Sequence, residues 1–126
     1  MDSYDVNRFN QEIRLRTKMF AVNIYKVLSS VRLNDLSRIP SRQLMKNATS
    51  VTANFSSATR GRSAAEFYSK ICIATEECDE CLFWIDFLIE AGIIQANDIN
   101  LLQKEADELL RIFSTIKGKL KIKHNP

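Results

Sequence analysis

A chain of 126 residues that is 45% hydrophobic can fill one core and is too short for two domains of ordinary size. Three glycines and two prolines are too few turn-formers for a many-stranded sheet, so long helices and an all-α class are expected. The net charge of +3 hides a segregation. Residues 1–62 carry eleven Lys or Arg against four Asp or Glu, residues 63–116 carry three against eleven, and residues 117–126 add four lysines.

The opening MDSYDVNRFNQ lacks the basic start and apolar run of a secretory signal, and the densest apolar stretch, Leu82 to Ile89, is split by Asp86. A soluble, cytoplasmic protein with no membrane partner is expected. Three cysteines, an odd number without an export signal, point to reduced thiols rather than a disulfide framework.

Apolar residues at Phe9, Ile13, Phe20, Ile24 and Val27/Leu28 predict a first helix over about residues 9–30. The stretch Val31 to Pro40 holds the cap candidates Asn34, Asp35 and Ser37, and Pro40 fits only before a helix or in its first turn. A second helix over about 41–58 shows Leu44, Ala48, Val51, Phe55 and Ala58 on a narrow stripe. It is rich in Ser, Thr and Asn, whose side chains compete for backbone groups, so packing must supply what propensity does not.

The third helix, about 64–91, opens on the capping box Ser63-x-x-Glu66. It keeps a 4,3 alternation through Phe67, Ile71, Ala74, Cys78, Cys81, Ile85 and Leu88. Ala91-Gly92 reads as its C-cap, and a fourth helix over about 97–120 follows with Ile99, Leu102, Ala106, Leu109, Phe113, Ile116 and Leu120. Four helices with short connections predict one antiparallel up-down-up-down bundle spanning residues 1–126, ending in a basic tail at 117–126.

Cys78-x-x-Cys81 has metal-ligand spacing, but structural zinc takes four ligands and the only histidine is His124 in the tail. Both thiols also fall on the core stripe of helix three, where they read as small buried hydrophobes. Nothing matches a catalytic triad, a P-loop or a dinucleotide fingerprint, so no enzyme, cofactor or metal is expected. The acidic run Glu76-Glu77-Cys78-Asp79-Glu80 lacks the Glu-x-x-His pairs of a di-metal bundle and reads as a solvated face or as a partner for basic helices.

Arg60-Gly61-Arg62 precedes a helix N-terminus, where free amides and two guanidinium groups would suit phosphate. Ser63 and Glu66 are expected to occupy those amides, and Gly61 to supply a positive φ for the reversal, which makes the stretch first of all a turn. The basic N-terminal half and tail leave two readings open. One is a phosphate-binding surface using Arg42, Lys46, Arg60, Arg62, Lys117, Lys119, Lys121 and Lys123, with salt-sensitive affinity for RNA or DNA. The other is complementarity between basic and acidic helices of one subunit or of neighbouring subunits.

A family resemblance lies in the same residues. Ser41-x-Gln43-Leu44, Thr49-Ser50-Val51-x-Ala53-Asn54, Gly61-x-Ser63-x-x-Glu66-Phe67-x-x-Lys70, Ile73-Ala74, Glu77, Glu80 and Trp84 resemble the four helix bundle protein family, also called 23S ribosomal RNA intervening-sequence proteins. The resemblance covers roughly residues 18–94. It implies an antiparallel four-helix bundle assembled as a homopentamer. It also implies kinship with the accessory variability proteins of diversity-generating retroelements, which bind nucleic acid and a reverse transcriptase. This chain departs from the pattern at Thr52, where the family has Gly or Pro, and at Ser57, where it has Glu. The polar residues Gln43, Asn54, Ser63, Glu66, Glu77 and Glu80 are expected to form a structural network.

Helix three has more apolar surface than one stripe needs. Phe83, Trp84 and Phe87 cannot all face one core, because successive helical residues lie about 100° apart. They are therefore candidates for a subunit interface.

Overall fold

A computed structural model describes the backbone of residues 2–124 and the side chains of residues 2–120. The described residues form four helices, α1 (Ser3–Ser29), α2 (Arg38–Thr59), α3 (Ala64–Glu90) and α4 (Ala96–His124). The expected all-α four-helix bundle is what the chain forms.

Each terminus has a local cause. At the start of α1 the Asp2 carboxylate accepts a hydrogen bond from the Asp5 amide at 2.9 Å, which lets the helix begin well before the first apolar residue of its stripe. Between α1 and α2, Asn34 and Ser37 bond reciprocally. The Asn34 amide donates to Ser37 Oγ at 2.7 Å, and the Ser37 amide donates to Asn34 Oδ1 at 2.8 Å. Pro40 then falls in the first turn of α2, where its missing N–H removes no intrahelical bond.

At the end of α3, Gly92 has φ 74°, the Gly92 amide donates to Ile89 O and the Ile93 amide to Leu88 O. That is a Schellman stop, as Ala91-Gly92 predicts. Past the expected end of the fourth helix, the α4 backbone stays helical to His124, so the basic segment continues the helix instead of forming a separate tail.

The helices pack in ring order, each against its sequence neighbour, and α4 closes back on α1 along the thinnest seam. The predicted stripes make the core, with Phe20, Leu44, Phe55, Ile71, Ile85, Leu109 and Phe113 fully buried. Phe55 and Phe113 stack across the diagonal at 5.6 Å. Burying each such side chain contributes about 1.5–3 kcal/mol.

The sequence pattern does not reveal one core residue, Thr17, which is fully buried. Its hydroxyl donates to Arg14 O at 2.9 Å and lies 3.1 Å from the Thr52 hydroxyl across the α1–α2 seam. Thr52, a departure from the family pattern, is thus the partner of a buried polar group.

Candidate nucleic-acid interface

The turn between α2 and α3 resolves the Arg60-Gly61-Arg62 question locally. Ser63 Oγ accepts from the Glu66 amide at 3.1 Å, and the Glu66 carboxylate accepts from the Arg62 amide at 3.4 Å. Two donors at this terminus are therefore used, and a carboxylate stands where an anion would sit. The expectation of a positive φ at Gly61 is wrong, since Gly92 is the positive-φ glycine among the described residues. Gly61 favours close approach instead. A Cβ there would stand 3.1 Å from the Ala58 carbonyl oxygen and 3.4 Å from the Phe67 amide nitrogen, both of them backbone atoms.

The antiparallel ring sorts the basic candidates into two groups. The turn carrying Arg60 and Arg62 lies at the same end of the bundle as the C-terminal part of α4, with Lys117 and Lys119. Phe67 of α3 and Lys119 of α4 line one groove, which fixes the level. Arg42 and Lys46 lie toward the other end of α2, about 20–27 Å away at 1.5 Å per residue. Arg42, Lys46, Arg60, Arg62 and Lys119 are exposed and Lys117 is half-buried. None of the six forms an ion pair among the described residues. The side chains of Lys121 and Lys123 lie outside the described residues.

Internal complementarity takes up little of the segregated charge. Three of the ion pairs are local: Arg8 with Glu12, Arg38 with Asp35 and Arg111 with Asp107. Among the described residues Arg16 alone pairs the basic half with the acidic half. It crosses the α1–α4 seam to Glu105 through two hydrogen bonds and to Glu108 at 3.2 Å. The hydrogen bond to Glu105 is the main cause that raises the Arg16 pKa, against partial desolvation.

Cys78 and Cys81 are fully buried, as their stripe positions predict. Cys78 donates to Ala106 O at 3.3 Å. Desolvation pushes its thiol from 9.0 up to about 12 and raises the Cys81 thiol as well, so neither is an available thiolate at neutral pH. No group of three His, Cys, Asp or Glu side chains suited to a metal ion occurs among the described residues.

The expected polar network breaks into separate parts. Ser63 and Glu66 cap α3, while Asn54 donates within α2 to Ser50 O and Ser50 Oγ. Glu77 and Glu80 meet a residue that sequence reasoning does not single out. The Asn47 amide nitrogen donates to one carboxylate oxygen of each, at 2.5 Å. Asn47 is 4% exposed, and its Oδ1 is buried with no hydrogen-bond partner among the described residues. Such an orphaned acceptor costs about 1–3 kcal/mol. Its only sequence signal is a polar residue next to Ala48 of the α2 stripe.

The aromatic cluster divides as helical geometry requires. Phe83 is 59% exposed, Phe87 is 43% exposed and Trp84 is half-buried. Trp84 meets both rings edge-on, with centroids at 4.9 and 5.6 Å. The cluster continues an apolar surface at the α1–α2 end of the bundle, where Leu36 and Ile39 are also exposed. At the opposite end an apolar groove of about 510 Å³ opens along the α1–α4 seam between Phe9, Phe67, Ile112 and Ile116. No helix among the described residues is long and apolar enough to cross a membrane.

Comparison with known proteins finds no match among curated sequences. A crystal structure from Bacteroides thetaiotaomicron VPI-5482, a protein with unknown function from the S23 ribosomal protein family, superposes with a TM-score of 0.79 at 23% identity. The match covers 86% of this chain and 97% of that one, and shows a shared fold. The profile described as 23S rRNA-intervening sequence protein matches residues 10–115, which takes in all of α2 and α3 and most of α1 and α4. The match takes in well over half of the sequence, and the chain belongs to the 23S rRNA-intervening sequence protein family.

Proposed function

We propose that this protein is a non-enzymatic, oligomeric bundle that associates with nucleic acid, RNA first, as an accessory module of a ribonucleoprotein. One observation carries the reading. Arg60, Arg62, Lys117 and Lys119 gather at one end of the bundle, and none is neutralised by an ion pair among the described residues. Lys121 and Lys123 follow on the same helix. A cluster of this kind binds phosphates without reading bases, and its affinity falls with salt. Arg42 and Lys46 serve as a second, separate anchor for a longer strand or for a strand shared between subunits. The family's association with intervening sequences of 23S rRNA makes structured RNA the first probe.

Assembly rests on the Phe83, Trp84 and Phe87 cluster, whose exposed rings suit packing between copies in a homo-oligomer, a pentamer by family resemblance. A reverse transcriptase is a second partner suggested by that resemblance. The competing reading is a protein-interaction scaffold in which the charge segregation serves only the packing of subunits. It is favoured by the exposed acidic residues Glu76, Asp79 and Glu80 of α3, which suit a neighbour's basic helices.

A gel shift with structured RNA at low salt, on protein of known oligomeric mass, separates the two. The nucleic-acid reading expects retardation that weakens with salt. Replacing Lys117, Lys119, Lys121 and Lys123 by Gln should flatten the slope of log K against log salt by about 0.7–0.9 for each phosphate no longer neutralised. Absence of retardation at low salt, with a mass that falls as salt rises, establishes the scaffold reading instead.

A further inference from the structure

We infer that the outward face of α1 is a docking surface for the outward face of α3 of a second copy of this chain, a head-to-tail contact. The inference rests on the homo-oligomeric reading above and names the surface that the α3 rings meet.

Two apolar faces stand uncovered on opposite sides of the bundle. α1 and α3 lie on a diagonal of the ring and do not touch each other among the described residues, so their outward faces point in opposite directions. On α3, Glu76, Phe83, Phe87 and Glu90 fall in one sector about 60° wide at about 100° per residue, opposite the buried Ile71, Cys78 and Ile85. On α1, Tyr4, Arg8, Leu15, Met19, Val22 and Lys26 fall in a sector of about the same width, opposite the buried Ile13, Phe20 and Ile24. Leu15 is 61% exposed and Met19 41% exposed, which makes the α1 face as open as the α3 face.

Charge decides which face meets which. Residues 13–34 hold Arg14, Arg16, Lys18, Lys26 and Arg32 and no Asp or Glu, and of these Arg16 is committed to α4. Residues 76–90 hold Glu76, Glu77, Asp79, Glu80, Asp86 and Glu90 and no Lys or Arg. Lys18, Lys26, Glu76, Asp79, Asp86 and Glu90 form no ion pair among the described residues. Pairing α3 with α3 sets carboxylates against carboxylates, and pairing α1 with α1 sets lysines against lysines. Pairing α1 with α3 buries both apolar faces with opposite charges around them.

The spacings agree. On α3 Glu76 and Glu90 flank Phe83 and Phe87, and on α1 Arg8 and Lys26 flank Leu15 and Met19. Arg8 also meets Glu12 on its own helix, so Lys18 and Lys26 are the uncommitted cations of this face. A heterologous contact of this kind leaves every copy with one free face of each sort, so it repeats until a ring closes. Its lysines are not those assigned to nucleic acid, so the two roles do not compete.

Light scattering on the full-length chain tests the contact. Leu15→Ser with Met19→Ser removes the α1 face, and Phe83→Ser with Phe87→Ser removes the α3 face. All four side chains are exposed, so both variants should keep the wild-type circular dichroism. Each alone should fall to the mass of one chain. Mixed in equal amounts they should form a species of two chains, because each keeps the face that the other lacks.

Charge reversal probes the same pairing without touching the apolar groups, and it decides alone if the serine variants lose their dichroism. Lys18→Glu with Lys26→Glu should lower the mass, as should Glu76→Lys with Glu90→Lys, and mixing the two should restore assembly. A monomeric wild type overturns the inference together with the homo-oligomeric reading. A wild type that assembles while the α1 variants keep its full mass overturns the inference alone, and so do mixtures that stay at the mass of one chain.

Discussion

Alkaline pH should unfold this protein through its two buried thiols. The Cys78 thiol ionises at 9.0 in a solvated chain and at about 12 in the folded one, with desolvation the main cause, and the Cys81 thiol is raised as well. Between those values the unfolded state has lost a proton that the folded state keeps, so unfolding becomes easier as pH rises. The contribution is absent below pH 9. At pH 10 each thiol removes about 1.4 kcal/mol, one pH unit past the solvated value. Two thiols together remove about 3 kcal/mol from a domain stability of order 5–15 kcal/mol.

Urea unfolding at pH 8, 9, 9.5 and 10, followed by far-ultraviolet circular dichroism, measures this directly. The comparison that isolates the thiols is with Cys78→Ala, Cys81→Ala and the double variant. Each single variant should begin less stable at pH 8, because it leaves a small cavity, and should then lose stability about half as steeply as wild type. Equal slopes for wild type and the double variant would refute the account and place the pH sensitivity elsewhere.

Other consequences are simpler to measure. Gly61→Ala should destabilise by about 1–3 kcal/mol, because its Cβ would press on the Ala58 carbonyl and force the turn backbone to shift. Gly118→Ala, helical and with open space around the added Cβ, should stabilise by up to about 0.5–1 kcal/mol, and paired thermal melts check both signs. For the buried hydroxyl pair, Thr17→Val and Thr52→Val should each cost about 1 kcal/mol. Their double-mutant cycle should show coupling of about 0.5 kcal/mol or more, and strict additivity would mean that the pair does not interact. Replacing both exposed rings, Phe83→Ser with Phe87→Ser, should leave the fold intact by circular dichroism and lower the mass in light scattering. An unchanged mass would remove this face from the assembly.

The core is readable in the sequence because helical packing repeats. From Ile71 to Leu88 the α3 stripe is buried at every predicted position, and the 3,4 spacing carries that information without any knowledge of partners. Single polar residues are less readable. Thr17 and Asn47 are buried because of what faces them, Thr52 in one case and Glu77 with Glu80 in the other, and a one-dimensional pattern does not reveal facing residues. Gly61 shows a related limit, since a glycine needed for positive φ and one needed for close approach look alike until the neighbouring backbone is placed. The basic candidates are legible as residues but not as a group. The ring topology is what puts Arg60 at the same end of the bundle as Lys117 and separates both from Arg42.

The thin seam between α1 and α4 bears on how the molecule opens. With α2, α3 and α4 packed in sequence and Arg16 as the ionic strap on the fourth side, α1 is held firmly along one flank only. Its backbone amides should therefore exchange with solvent through sub-global openings of lower free energy than those of α3, with the N-terminal turns of α1 first. The native state then resembles a three-helix body with a hinged fourth member. A ligand that grips α1 and α4 together would stiffen the molecule without changing its average shape.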